Sequence, residues 1–292
     1  MRGFLLALTL LVSSANVTYG CDEEGKTGFM PDNDLWIAPG NSLTEMTEEE
    51  FDQIIDRIED IYSPIVDAEG AKLKIVRKWK DGTVNAYAQR QGNTWKVTMF
   101  GGMARHQYAT NDGFALVVCH ELGHHLGGAP KKSGWFGETM WASNEGQSDY
   151  WGSMKCLRKY MEKDDNVGIV AEMDVPEIVT NKCNDNFSNE NDIAMCERGA
   201  MAGLALGKIL NSLGRSGDEV DFSTPSRSVV SKTDHNHPKA QCRLDTYFAG
   251  SVCEKDHYTD VSNTDANQAV CNRAEEDKQG LRPLCWYKPP RS

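Results

Sequence analysis

His120-Glu121-Leu122-Gly123-His124 sets two imidazoles four residues apart, with a carboxylate directly after the first. On a helix of 3.6 residues per turn, positions i and i+4 share a face, so both rings can reach one ion while Glu121 lies beside any water on it. That is the residue set of metal-assisted peptide hydrolysis. Catalytic zinc takes three protein ligands and keeps a fourth position open, so a third ligand is expected downstream. Glu145, 21 residues past His124, is the candidate, with Glu138 and the downstream histidines as competitors. Asp149 follows one turn later. A ligating histidine generally donates its other ring N–H to an outer acceptor, and Asp149 is assigned that task toward His120. His125 falls off the ligand face and reads as a solvated or supporting residue.

These side chains require two helices. Phe114 to Cys119 supplies an apolar approach, Asn111 or Asp112 can act as N-cap, and Gly127-Gly128 with Pro130 ends the first helix. A second helix is expected from Trp141 to about Lys163, with Met154, Leu157, Tyr160 and Met161 at helical spacing and Glu145 and Asp149 on one face. Cys119 flanks the first ligand, and Cys156 lies 11 residues beyond Glu145. A bridge between them would clamp the two helices; a free Cys119 thiol is the alternative.

Upstream, a capping box at Thr47 and Glu50 opens a helix carrying Phe51, Ile54, Ile55, Ile58 and Ile61, which Ser63-Pro64 should interrupt. Leu73 to Trp79, Thr83 to Arg90 and Thr94 to Phe100 read as three antiparallel strands joined by turns at Asp81-Gly82 and Gln91-Gly92-Asn93. The last strand, with Val97, Met99, Gly101 and Gly102, is the candidate substrate-binding edge. Its alternative is a central, fully paired strand.

HExxH with a later Glu-x-x-x-Asp looks like the glutamate-zincins. His237-Pro238 with Arg243 six residues after the histidine narrows this, and the three motifs together resemble the type I CAAX prenyl endopeptidase family, including its soluble periplasmic relatives. They run in the family's order from Cys119 to about Tyr247, under half of the chain. The resemblance implies an α+β, zincin-like fold with one catalytic zinc ion. It also implies that His237 sits over the metal to stabilise the oxyanion, while Arg243 holds that segment in place. The chain departs from the membrane-embedded members, because no segment beyond the leader approaches the roughly 18 unbroken apolar residues of a spanning helix.

Arg2 followed by Phe4 to Val12 and small residues as far as Gly20 reads as a signal peptide over residues 1–20. Cleavage before Cys21 would make that residue a candidate lipid anchor, although Thr18 matches the usual aliphatic position poorly. Both anchored and free forms fit an exported, periplasmic or envelope protein. Removing Cys21 from the nine cysteines leaves eight, an even count that reads as a disulfide framework in an exported chain. With 31 basic and 43 acidic residues, net −12, the chain is ill-suited to nucleic acid or an anionic lipid surface.

Residues 21–214 are expected to form the catalytic domain: a small antiparallel sheet, the HExxH helix, and a helix from Asn191 to Leu213 whose Glu197, Arg198 and Lys208 argue against a membrane span. Residues 215–292 read as a loop-rich, disulfide-stitched extension that folds back and brings His237 to the site. The function expected is zinc-dependent endopeptidase action on peptides or unfolded exported proteins. An envelope chaperone or assembly factor that seldom cleaves carries the same residues. A binding module with a structural zinc would favour cysteine and four-coordination, leaving Glu121 without purpose.

Overall fold

The computed structural model describes residues 17–20, 28–133, 138–214 and 219–290. Within them the chain is α+β, with a mixed sheet, a small hairpin and several helices. In chain order these are β1 (Val17–Tyr19), α1 (Glu48–Ala68), β2 (Lys72–Lys78), β3 (Ala86–Gln91), β4 (Thr94–Phe100), α2 (Gly101–Ala104) and α3 (Asn111–Leu126). The hairpin β5 (Lys131–Ser133) and β6 (Thr139–Ser143) leads into α4 (Glu145–Trp151), which continues through a wider turn at Gly152–Cys156 into α5 (Leu157–Met161). Then come α6 (Asn166–Ala171), α7 (Glu177–Asn186), α8 (Glu190–Asn211) and α9 (Ala240–Val252).

α1 starts at the expected capping box: Glu50 N donates to Thr47 Oγ1, and Thr47 N donates to the Glu50 carboxylate. It does not stop at Pro64 but runs to Ala68, because its apolar face continues through Tyr62 and Val66, both buried. That burial outweighs the one hydrogen bond a proline forfeits. The same core takes in α3, whose Phe114 to Cys119 stretch is wholly buried, together with α8 and Tyr247 of α9.

The sheet order is β1-β3-β4-β2, with β2 parallel to β4 and β3 antiparallel to it, so the expected three-strand meander is wrong at one turn. Asp81-Gly82 does not close a hairpin. The chain from Trp79 onward instead crosses the end of β4, where Arg105 donates to the carbonyls of Ile37, Trp79 and Asp81 at 2.9, 2.8 and 3.1 Å. A side chain at Gly101 would meet the Trp79 carbonyl, and one at Gly102 the Gly82 carbonyl, so both glycines make room for the crossing. Val97 and Met99 therefore lie in a central strand paired on both sides, and Gly101 and Gly102 seat a loop. None of the four forms a free edge. The outer strands of the sheet are β2 and the short β1, which pairs along the far side of β3.

α3 ends at Gly127 as expected, but its N-cap is Thr110, whose hydroxyl accepts from Gly113 N, and not Asn111 or Asp112. Asp112 is taken by Arg198 of α8, which holds its two oxygens at 3.0 and 2.7 Å and reaches Asp164 as well. The second ligand helix begins at Glu145 and not at Trp141, which lies in β6. The C-terminal part is less loop-like than expected, since α9 carries Arg243. Four disulfides, Cys119–Cys156, Cys183–Cys196, Cys242–Cys285 and Cys253–Cys271, stitch the chain. The last residues fold back over α4 and α9, with Tyr150 Oη donating to the Gly280 carbonyl and Trp286 Nε1 donating to Thr246 Oγ1. Among the described residues no helix is long and apolar enough to cross a membrane. Residues 1–16 of the expected leader and its candidate anchor Cys21 lie outside the described residues.

Candidate metal centre

α3 and α4 cross closely enough to bring two imidazoles and a carboxylate together. At the crossing, a Cβ on Gly123 would lie 2.9 Å from Ser148 Cα and from its carbonyl oxygen, so only glycine between the two histidines permits this approach. The Cys119–Cys156 bridge ties α3 to the Gly152–Cys156 turn that continues α4. Asn144 caps α4 by accepting from Gln147 N, which sets Glu145 at the first position of the helix, facing α3.

His120, His124 and Glu145 are fully buried, and one ligand atom from each lies within 4.8 Å of the others. Among the described residues this is the group that could hold a metal ion. Both rings are oriented from behind. His120 Nδ1 lies 2.7 Å from Asp149 Oδ1, and His124 Nδ1 lies 2.9 Å from the Ser143 carbonyl. A carboxylate and a carbonyl can only accept, so both Nδ1 atoms carry the proton and both Nε2 atoms face the cluster. His120 Nε2 is then 3.3 Å from Glu145 Oε2, and His124 Nε2 is 3.8 Å from it. Those are lone-pair donors pointed at one another, and a proton or a cation must lie between them. His120 Nε2, Glu145 Oε2 and both oxygens of Glu121 are buried without hydrogen-bond partners. Such orphans are costly in a protein interior, and a divalent cation with its water would satisfy them. The donor set of two imidazoles and one carboxylate suits zinc.

Asp149 is held by Arg243 in a two-pronged pair: Nε donates to Oδ2 and Nη2 to Oδ1, each at 2.7 Å. Arg243 Nη1 also donates to the Phe29 carbonyl, and the guanidinium lies over the Phe29 ring, whose edge meets His120. Burial would raise the Asp149 pKa, but Arg243 and His120 override it and hold it down to about 2. Burial alone would discharge His120, yet Asp149 lifts its pKa to about 9, while at His124 burial outweighs the pull of Glu145 and pushes the pKa down to about 3. Burial also pushes Glu121 up to about 8.

His237 also reaches the cluster. Its Nε2 donates to the Gly28 carbonyl at 2.7 Å and lies 3.4 Å from Glu145 Oε2. The sequence-predicted residues His120, Glu121, His124, Glu145, Asp149, His237 and Arg243 thus meet in one place, whereas Val97, Met99, Gly101 and Gly102 do not join them. Glu138 is exposed and outside the cluster. His125 is not solvated: it is buried and stacked between Trp95 and Trp141, with Arg90 Nε donating to its Nδ1. Lys132 is a residue that sequence reasoning missed. Its Nζ donates to Glu145 Oε1 at 3.1 Å, which leaves Oε2 for an ion. No periodicity singles out a lysine in a short hairpin strand, so nothing local announced it.

Two outcomes follow from this geometry. Metal uptake must displace protons from the cluster, since His120 and Glu121, at about 9 and about 8, are largely protonated near pH 7 without an ion. Zinc titrations in buffers of different ionisation enthalpy should show about one to two protons released per ion near neutrality, with affinity rising as the pH is raised toward 9. Zero release would contradict the assignment. Asp149→Ala should weaken metal binding by roughly 10- to 100-fold, read by competition with a chromophoric chelator. Unaltered affinity would remove Asp149 from its orienting role.

Compared with protein-family models, with curated proteins and with solved structures, the chain matches none.

Proposed function

We propose that the chain is a zinc-dependent endopeptidase acting on peptides or unfolded proteins in an exported, oxidising compartment. The observation that carries this is the set of orphaned lone pairs: a buried Glu121 carboxylate without a partner, beside two imidazoles and a carboxylate aimed at one point. A structural site would close its fourth corner with another protein ligand, and among the described residues the group consists of three. Bound zinc supplies Lewis acidity and lowers the pKa of a coordinated water toward neutrality.

The chain's own residues account for the rest of the reaction. Glu121 accepts the proton of the attacking water and hands it to the leaving amine. Asp149, gripped by Arg243, fixes the His120 ring so that Nε2 faces the ion, and the Ser143 carbonyl does the same for His124. Lys132 holds the far oxygen of Glu145. His237 Nε2 already donates to a peptide carbonyl, that of Gly28, and a scissile carbonyl becoming an oxyanion would be a stronger acceptor of the same kind. Its segment and Arg243 keep the pattern that resembles the type I CAAX prenyl endopeptidases, and a zincin-like fold is part of the proposal. The four disulfides support the compartment. Cleavage of unfolded casein with and without chelator tests the reading: chelator-sensitive cleavage supports it, while a metal-loaded protein that leaves casein intact favours an assembly or chaperone role.

A further inference from the structure

β1 runs antiparallel along β3, with Val17 opposite Gln91, Thr18 opposite Arg90 and Tyr19 opposite Gln89. Gly20 N then donates to the Ala88 carbonyl at 2.8 Å. Two residues further along β3, Phe29 N donates to the Ala86 carbonyl at 2.9 Å, and the Gly28 carbonyl before it accepts from His237. Val17–Gly20 and Phe29 therefore pair with β3 beside the metal cluster as an added strand would, and the Gly28 carbonyl lies on the proposed oxyanion donor.

The contact at Gly20 is selective. A Cβ there would lie 3.2 Å from Ala88 Cβ and 3.2 Å from His124 Cγ. Neither neighbour can retreat readily, because Ala88 sits in a strand paired with β4 and His124 is pinned by the Ser143 carbonyl. Val17 and Thr18, by contrast, are exposed, while position 20 is buried and refuses a side chain.

We propose that the outer edge of β3 is a strand-addition site for extended peptides carrying glycine at the position facing His124, and that Val17–Gly20 of the chain is its internal occupant. The inference deepens the peptidase reading by naming what the site selects. It also gives the chain a self-blocking device: while Val17–Gly20 is paired, no other peptide can add there, and loss of a leader ending at Gly20 would uncover the edge.

The test uses the full chain carrying Glu121→Gln, so that binding is read without cleavage. A dye-labelled, end-capped peptide of sequence Asn-Val-Thr-Tyr-Gly is titrated against this chain and against the same chain with Gly20→Leu, which expels the internal strand. The expected result is binding at least about 10-fold tighter to the Gly20→Leu chain, with Gly20→Ala between the two. A peptide with leucine in place of its glycine should bind about 10-fold or more weakly. Equal binding to the chains, no binding to any of them, or indifference to the leucine would overturn the proposal. Because the readout is binding, failure of casein cleavage leaves it standing, and its own failure leaves the hydrolase reading standing.

Discussion

Glu121→Gln is expected to keep its metal and to lose peptide hydrolysis by about 10²- to 10⁴-fold, the usual worth of a positioned general base. Glutamine preserves the size of a side chain that is wholly enclosed, so packing around α3 should survive. What it removes is basicity. Neither carboxylate oxygen of Glu121 has a hydrogen-bond partner, so no structural contact is lost in exchange. Metal content and kcat measured on the same preparation decide the matter. Unchanged turnover would remove Glu121 from the chemistry, and loss of metal would make it a ligand instead of a base.

Arg243→Ala should have the largest effect on stability. It strips the cation from Asp149, a fully buried carboxylate whose two oxygens it holds at 2.7 Å, and it releases the Phe29 carbonyl. Breaking a buried pair by removing one partner costs about 3–5 kcal/mol, or a fall in Tm on the order of 10 °C for a chain of this size. Arg243→Lys should recover part of this, because lysine keeps the charge but not the planar fork. The double change Asp149→Asn with Arg243→Met should restore stability further without restoring metal affinity, since the His120 ring would still lack its carboxylate. A Tm within about 2 °C of the unaltered protein for Arg243→Ala would contradict the pairing as the anchor of the site.

Much of the cluster was legible in the sequence because its parts are local. Spacing of four residues puts His120 and His124 on one helix face, and the same spacing puts Asp149 behind Glu145. Of the two alternatives for Cys119, a bridge to Cys156 or a free thiol, the structure forms the bridge. His237 and Arg243 were placed by resemblance, and the structure brings both to the cluster. What local pattern could not supply was the pairing of distant strands. Asp81-Gly82 has the composition of a hairpin turn, yet Arg105 holds the Trp79 and Asp81 carbonyls there in a crossing loop, which makes β4 central, between β3 and β2. The helix start at Asn144 has a local signal, a capping residue three positions before Gln147, whereas the periodicity of Met154, Leu157, Tyr160 and Met161 marks the helix without fixing where it begins. Lys132, Gly123 and the pairing of β1 depend on tertiary approach alone.

The central claim is a single ion held by His120, His124 and Glu145 with one position open to solvent. X-ray absorption of the zinc-loaded chain tests it most directly. The account predicts one zinc per chain, with two imidazoles and oxygen ligands at about 2.0–2.2 Å and no sulfur. A sulfur scatterer at about 2.3 Å, or an unchanged spectrum after His120→Ala with His124→Ala, would contradict it.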